Sequence, residues 1–278
     1  MIQIIKRALR FIIKGTPIND IRVTVEQNVT GSLLKGKNIL ITGGARGIGF
    51  SIAKRCILEG AHVIICGRNL ETLRSSQCEL GKTNCSIYQF DVSDVYSIPS
   101  FLLKIYEDEG HIDALVNNAG LSFHEVSYKN VSVDGMVKQF NTNLFGAYFM
   151  AKNYLQEQEK MGRLLSTNIL FVSSERGSIC TDIPYGLSKN AINSLVGGLN
   201  NRVAVKGARI NAIAPGVTVS DMTGRKTSEN MAYNGSTSGR VLLQEEIAEV
   251  AVFLLSNLSK CISGEVVNCD FGSHLKCM

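Results

Sequence analysis

The sequence has no C-x-x-C pair, and its four histidines, His62, His111, His124 and His274, lie scattered along the chain. Zinc-type centres need Cys or His at short fixed spacings, so no metal site is expected. No apolar run approaches the ~18 residues of a membrane span. No small-residue cleavage site follows the apolar N-terminus, so a secretory signal is not expected either. The ending Leu275-Lys276-Cys277-Met278 lacks the fourth-from-last cysteine that prenylation requires. Several of the eight cysteines sit inside apolar runs such as Val63-Ile64-Ile65-Cys66, where thiols act as small hydrophobes, and this fits a reduced, cytoplasmic chain. With 45% hydrophobic and 19% charged residues, the chain also lacks the composition of a disordered protein.

Positive charge is scarce outside one end. The 278 residues carry a formal +5, and residues 1–40 hold all of it: Lys6, Arg7, Arg10, Lys14, Arg22, Lys35 and Lys37 against Asp20 and Glu26. A neutral body of 238 residues argues against nucleic acid as a partner, which would call for a basic face or stripe. Residues 1–35 are read as a basic N-terminal extension. Within it Ile2, Ile5, Leu9 and Ile12 share one helical face, with Lys6, Arg10 and Lys14 toward the other. Such a helix lies on an anionic membrane surface, or packs its apolar side on the protein or on a second subunit.

What the remainder does have is alternation. Short apolar runs at 38–42, 62–66, 86–90, 114–117, 168–173, 209–213 and 265–268 are separated by amphipathic stretches, among them 49–59, 95–107, 136–159, 184–205 and 245–255. Continuous apolar strands with intervening helices mean βαβ units and a parallel sheet covered on both faces. Right-handed crossovers then predict an α/β, single-domain, doubly wound (Rossmann) fold with seven parallel strands over residues 36–278.

The first strand runs into Thr42-Gly43-Gly44-Ala45-Arg46-Gly47-Ile48-Gly49 and then a helical pattern. Glycines there let the backbone approach a pyrophosphate, and the helix start offers unpaired N–H groups. The second strand ends at Cys66-Gly67-Arg68-Asn69. An NAD site places a carboxylate near this point for the ribose hydroxyls, and none is present. Gly67 leaves room for a 2′-phosphate and Arg68 pairs with it, with Arg46 as a second cation. This favours NADP(H), with NAD left open.

Tyr185 and Lys189 in Tyr185-Gly186-Leu187-Ser188-Lys189 lie at i and i+4 on one helical face. An ammonium one turn away favours the phenolate of a tyrosine that would otherwise titrate near ~10. Eleven residues before Tyr185, the fifth strand ends at Ser173-Ser174, at the sheet edge where doubly wound folds bind ligands.

Together these motifs make residues 35–273 resemble a short-chain dehydrogenase/reductase of the compact kind, with a T-G-x-x-x-G-x-G loop and Y-x-x-x-K. Asp91-Val92 resembles that family's adenine-binding pair, and Asn117-Asn118-Ala119-Gly120 its N-N-A-G. Asn143 matches the asparagine of the catalytic tetrad, and Pro215-Gly216 with Thr218 and Ser220 resembles P-G-x-x-x-T. In the tail, Phe271 replaces a usual glycine, and the Ser174–Tyr185 spacing is a residue or two short.

The resemblance implies that Tyr185 is general acid in reduction and base in oxidation. Lys189 tunes it and holds the nicotinamide ribose, Ser174 bonds the substrate oxygen, and Asn143 anchors a relay water. It implies cofactor contacts from Gly43, Arg46, Gly47, Ile48, Gly49, Arg68, Asp91, Val92, Asn118, Ala119, Gly120, Pro215, Gly216, Thr218 and Ser220, besides Tyr185 and Lys189. A homodimer or homotetramer is implied on the same ground.

Substrate choice is expected in 121–130, 175–183 and 217–240, which hold His124, Tyr128, Glu175, Arg176, Asp182, Arg225, Lys226 and Tyr233. The polar, Gly/Ser-rich stretch 222–240 points to a small polar carbonyl or alcohol, sugar-like in character. The runner-up is a 3-oxoacyl-carrier-protein reductase. A reading from another class is an NADP-binding sensor or scaffold without turnover.

Overall fold

The apolar runs pair in register. The structure, a computed structural model, describes residues 21–24, 27 and 29–276, so the basic helix expected at 1–14 lies outside the described residues. Strands β1 (Asn38–Thr42), β2 (His62–Gly67), β3 (Cys85–Gln89), β4 (Ala114–Asn117), β5 (Asn168–Val172), β6 (Arg209–Pro215) and β7 (Val266–Cys269) form one sheet. Its order is β3-β2-β1-β4-β5-β6-β7, and every pairing is parallel. The order reverses between β1 and β4, and such a switch point leaves a crevice at the strands' carboxyl ends.

Helices cover both faces because each presents one apolar side. Helix α1 (Gly47–Leu58) buries Ile52, Ala53 and Cys56, α2 (Leu70–Leu80) buries Leu73, and α7 (Gln244–Leu255) buries Ile247, Ala251 and Val252, all against one face. On the opposite face α3 (Ile98–Glu109), α5 (Ala147–Lys160) and α6 (Pro184–Val203) bury Leu102, Ile105, Met150, Tyr154, Ile192 and Val196. Helix α2 was not singled out by its pattern. Asn69 caps it, its side chain accepting from Thr72 N at 2.9 Å.

One expected helix is not continuous. The stretch read as 136–159 is α4 (Val133–Phe140), a π-helical turn Asn141–Gly146, and then α5. A β-carbon on Gly146 would lie 2.6 Å from the Val92 carbonyl oxygen, so the chain passes close to the end of β3 at this turn. π-Turns inside helices commonly mark functional segments.

The segment 217–243 also departs from a wholly polar reading. Val219, Met231, Val241 and Leu243 form a small core of their own, against which Ile21 and Val23 pack. Backbone bonds join Met231 N to the Ile21 carbonyl and Val241 N to the Met231 carbonyl, at 3.2 and 2.9 Å. No helix among the described residues is long and apolar enough to cross a membrane, and no group of His, Cys, Asp and Glu among them is arranged to hold a metal ion.

Candidate active site

A cavity of about 930 Å³ opens at the carboxyl edge of the sheet, lined by the segments that follow β1 to β6. At one end is the glycine loop. Gly43 and Gly47 stand at φ of +64° and +58°, which glycine adopts without a β-carbon clash. A β-carbon on Gly44 would meet Ile65 at 2.6 Å, and one on Gly49 would meet Asn118 Nδ2 at 2.3 Å and the Gly43 carbonyl at 2.5 Å. Gly43, Arg46, Gly47 and Ile48 line the cavity, while Gly49 lies behind the loop and does not. Asn118 explains that packing: its amide donates to the carbonyls of Thr42 and Gly43 at 2.9 and 3.0 Å and braces the turn from below.

Gly49→Ala therefore displaces Asn118 from the turn. NADPH affinity measured by fluorescence titration is expected to fall about 5- to 150-fold, in line with ~1–3 kcal/mol for overpacking. Binding within twofold of wild type would show that Asn118 does not fix the loop.

Arg68 and Arg46 both line this end. Arg46 meets Asp221 at 3.4 Å across the groove, in a pair that is mostly exposed. Pairs of this kind contribute only ~0–1 kcal/mol, so a phosphate can displace it. Asp91 and Val92 line the wall after β3, with Asp91 Oδ1 accepting from Ser93 N and Oγ at 2.9 and 2.8 Å. Asn118, Ala119 and Gly120 follow β4, and Pro215, Gly216, Thr218 and Ser220 follow β6; all line the cavity. Thr218 Oγ1 donates to the Gly216 carbonyl at 2.9 Å, which shapes the β6 turn. A glycine cradle too tight for β-carbons, a helix start and two rim guanidiniums fit a dinucleotide carrying a 2′-phosphate.

At the other end Ser174, Tyr185 and Lys189 line the same cavity. Pro184 opens α6, fixing the first turn so that Tyr185 and Lys189 project to one side. The Ser174 hydroxyl lies close enough to the Tyr185 phenol to favour its ionised form. Ser173, by contrast, donates to the Lys189 carbonyl at 3.3 Å and is bonded to Asn193 Oδ1 at 2.5 Å. Of the two serines, Ser174 is thus the one that meets Tyr185.

Lys189 is buried, donates to the Val172 carbonyl at 2.7 Å and sits 5.8 Å from the centre of the Tyr185 ring. Burial pushes its pKa down to about 8. The phenol runs against expectation. Burial pushes the Tyr185 pKa up, opposed by the Ser174 hydroxyl, raised further by Glu175 and lowered by Arg176. Loss of hydration here outweighs the attraction of nearby cations, so the neutral, proton-donating form is the stable one.

Asn143 does not line the cavity. Its amide is committed to the Leu121 N–H at 2.7 Å, the Leu121 carbonyl at 2.9 Å and Ser188 Oγ at 3.1 Å, which ties the π-turn to the strand β4 exit and to α6. Of the candidate specificity residues, His124, Glu175 and Arg176 line the cavity; Tyr128, Asp182, Arg225, Lys226 and Tyr233 do not. Asp182 instead accepts from Tyr128 N at 2.9 Å, and the Arg225 guanidinium stacks 4.9 Å from the Tyr233 ring. Phe271 stands at φ +54° outside the cavity, half exposed, with the Arg240 guanidinium 5.0 Å from its ring. Glu125 was missed by sequence reasoning, since nothing in a loop sequence tells which acid turns inward.

Residues 43–274 match the family described as Enoyl-(Acyl carrier protein) reductase. Gluconate 5-dehydrogenase of Gluconobacter oxydans is 32% identical over 247 residues, covering 86% of this chain and 95% of that protein. The chain belongs to the short-chain dehydrogenase/reductase family. It is an NAD(P)-dependent oxidoreductase acting on CH–OH groups, as the family's dehydrogenases and reductases are. Another short-chain dehydrogenase/reductase, the 3-oxoacyl-acyl-carrier-protein reductase of Chlamydia muridarum, is 34% identical over 87% of this chain and 98% of its own. Among solved structures, ElxO with NADP bound superposes with a TM-score of 0.78 at 29% identity, covering 86% of this chain and 99% of that one.

Proposed function

We propose that the protein reduces a small polar ketone, or oxidises the corresponding secondary alcohol, with Tyr185 giving or taking the proton at the substrate oxygen. The observation that carries this reading is that Ser174, Tyr185 and a buried Lys189 line one cavity with the glycine loop, Lys189 lying 5.8 Å from the Tyr185 ring. The bound nicotinamide supplies the hydride. Ser174 donates to the substrate oxygen and orients it toward the phenol. Tyr185, held protonated by its burial, is the acid for reduction; in oxidation the same oxygen is the base. Lys189 holds its ammonium 5.8 Å from the centre of the phenol ring, in a fixed position on the Val172 carbonyl. Asn143 is a positioning residue in this scheme, holding Leu121 and α6 in place. Consumption of NADPH with a panel of ketones tests the reading, and failure with every ketone would sink it.

Arg68 supports NADP(H) as the preferred cofactor. Arg68→Ala is expected to raise the KM for NADPH ~10–100-fold, the value of a charge-assisted bond to phosphate, and to leave that for NADH unchanged. An equal effect on both cofactors would remove Arg68 from the 2′-phosphate site.

Reduction of an acyl-carrier substrate calls for cations beside the cavity mouth. Arg225 is stacked on Tyr233 and neither Arg225 nor Lys226 lines the cavity, so the small-molecule reading is preferred. A homo-oligomer is supported by the exposed apolar residues Val133, Val137, Phe145 and Tyr148 along α4 and the following turns. Buried, unpaired thiols at Cys56, Cys66 and Cys85 support a reducing, cytoplasmic setting.

A further inference from the structure

The substrate end of the cavity holds a carboxylate with no hydrogen-bond donor among the described residues. Glu175 follows Ser174 directly and lines the cavity with it. Its Oε2 comes within 3.1 Å of where a β-carbon on Gly216 would stand, which puts the carboxylate beside the β6 turn. It makes no ion pair or side-chain hydrogen bond with any described residue. Asp270, also beside Gly216, gives it no donor: that carboxylate is buried and accepts from Gly272 N, His274 N and His274 Nδ1 at 2.8–2.9 Å.

A second wall repeats the imbalance. Glu125 lines the cavity and takes a 2.6 Å bond from Gln139 Nε2, yet Glu125 Oε2 and the Oε1 of the fully buried Gln139 have no partner among the described residues. Buried acceptors left without donors cost ~1–3 kcal/mol each, so a site built this way gains by receiving a donor. Arg176, next to Glu175 in the chain, is exposed, and Lys189 is already bonded to the Val172 carbonyl.

We infer that Glu175 is a specificity-determining residue whose carboxylate accepts a hydrogen bond from a hydroxyl next to the reacting carbon, so that the site selects neutral polyhydroxylated substrates over anionic ones. An anionic substrate would face the Glu175 carboxylate with Glu125 on the neighbouring wall, whereas a polyol supplies the donor that Glu175 lacks. This inference rests on the oxidoreductase reading above and adds the class of substrate to it. Burial and the neighbouring Asp270 push the Glu175 pKa up, with Arg176, His274 and Lys276 pulling it down, which agrees with a carboxylate short of donors.

The test uses the full chain with NADP and three alcohols: sorbitol as a neutral polyol, gluconate as its carboxylate counterpart, and cyclohexanol with no neighbouring donor. Wild type is expected to favour sorbitol in kcat/KM over both others. Glu175→Gln is expected to lower the sorbitol-to-gluconate ratio at least ~10-fold, the value of a hydrogen bond to a charged group, chiefly through the KM for sorbitol. Any effect on Tyr185 common to all three alcohols divides out of that ratio. NADPH binding within twofold of wild type shows that the variant is folded, and Glu175→Asp provides the conservative comparison if it is not.

The same comparison is made without turnover, by calorimetric titration of the three alcohols into the NADPH-bound protein. If none of the three alcohols is oxidised, the ketone panel decides the oxidoreductase reading separately, and the binding preference still decides the role of Glu175. Wild type that shows no preference for sorbitol in either assay overturns the inference, as does a ratio that Glu175→Gln leaves within twofold.

Discussion

Tyr185→Phe is expected to lower kcat for ketone reduction by ~10²–10⁴, the usual contribution of a positioned general acid, while NADPH binds within about threefold of wild type. The substitution removes one oxygen from a ring that packs at the start of α6. The helix start is set by Pro184, and Ser174 keeps its bond from Arg176 N at 3.2 Å, so the cavity wall survives. What disappears is the proton donor at the substrate oxygen. In wild type the raised phenol pKa has a sign that can be checked. Reduction needs the protonated phenol, so the phenol itself costs no rate until pH climbs past the ordinary tyrosine value of 10.0. An earlier step near pH 8 reports loss of the Lys189 charge. Stopped-flow measurement of NADPH consumption over pH 6–11 reads both effects. A Phe variant that retains more than a tenth of wild-type kcat would show that another group donates the proton.

The strands were legible because parallel, doubly covered β-runs are continuously apolar; β1 and β4 keep the expected ends, and the others shift by one or two residues. The glycine loop and the Tyr185/Lys189 pair were legible because each is local, set within one turn of chain. Asn143 shows where such reading stops. Its residue type matched, but its direction depends on the π-turn at Asn141–Gly146, and an apolar repeat does not register one extra residue wound into a helix. The phenol's raised pKa was missed for a similar reason. The spacing to Lys189 is visible in sequence, whereas the loss of hydration that outweighs it is a property of the assembled cavity. Glu175 was visible only as one of several acids in loops until the fold placed it on the cavity wall beside Gly216 without a hydrogen-bond partner among the described residues. Ile21 and Val23, packed on the core of the 217–243 segment, give part of the N-terminal extension a place on the protein.

The largest stability effect is expected at a second such long-range device, Glu59. This carboxylate ends α1, is wholly buried, and joins Arg55 Nη1 at 2.6 Å, while Arg55 Nε meets Glu249 at 2.7 Å. It also receives Thr30 Oγ1 at 2.7 Å, Thr30 N at 3.2 Å, Ser32 N at 3.1 Å and Leu33 N at 3.3 Å, which fastens the chain that leads to the buried Leu34. Burial opposes its charge, but the bonds from Thr30, Arg55 and Leu33 win and hold its pKa at about 2 against an ordinary 4.5. Glu59→Ala removes the shared acceptor of all these donors and takes from Arg55 its buried carboxylate partner, a loss of ~3–5 kcal/mol by analogy with other broken buried pairs. A urea midpoint shifted at constant slope would measure it. A carboxylate whose pKa is depressed on folding contributes its stability above the unfolded value. In wild type that contribution, about 3 kcal/mol at ~1.4 kcal/mol per pH unit, is present above pH ~4.5 and drains away toward pH ~2. The variant lacks this drain, so the two proteins converge in stability across that window. A loss under ~1 kcal/mol at neutral pH, or a gap that stays constant down to pH 2.5, would mean the docked segment is held by Leu34 and its apolar neighbours and that the charge cluster is incidental to it.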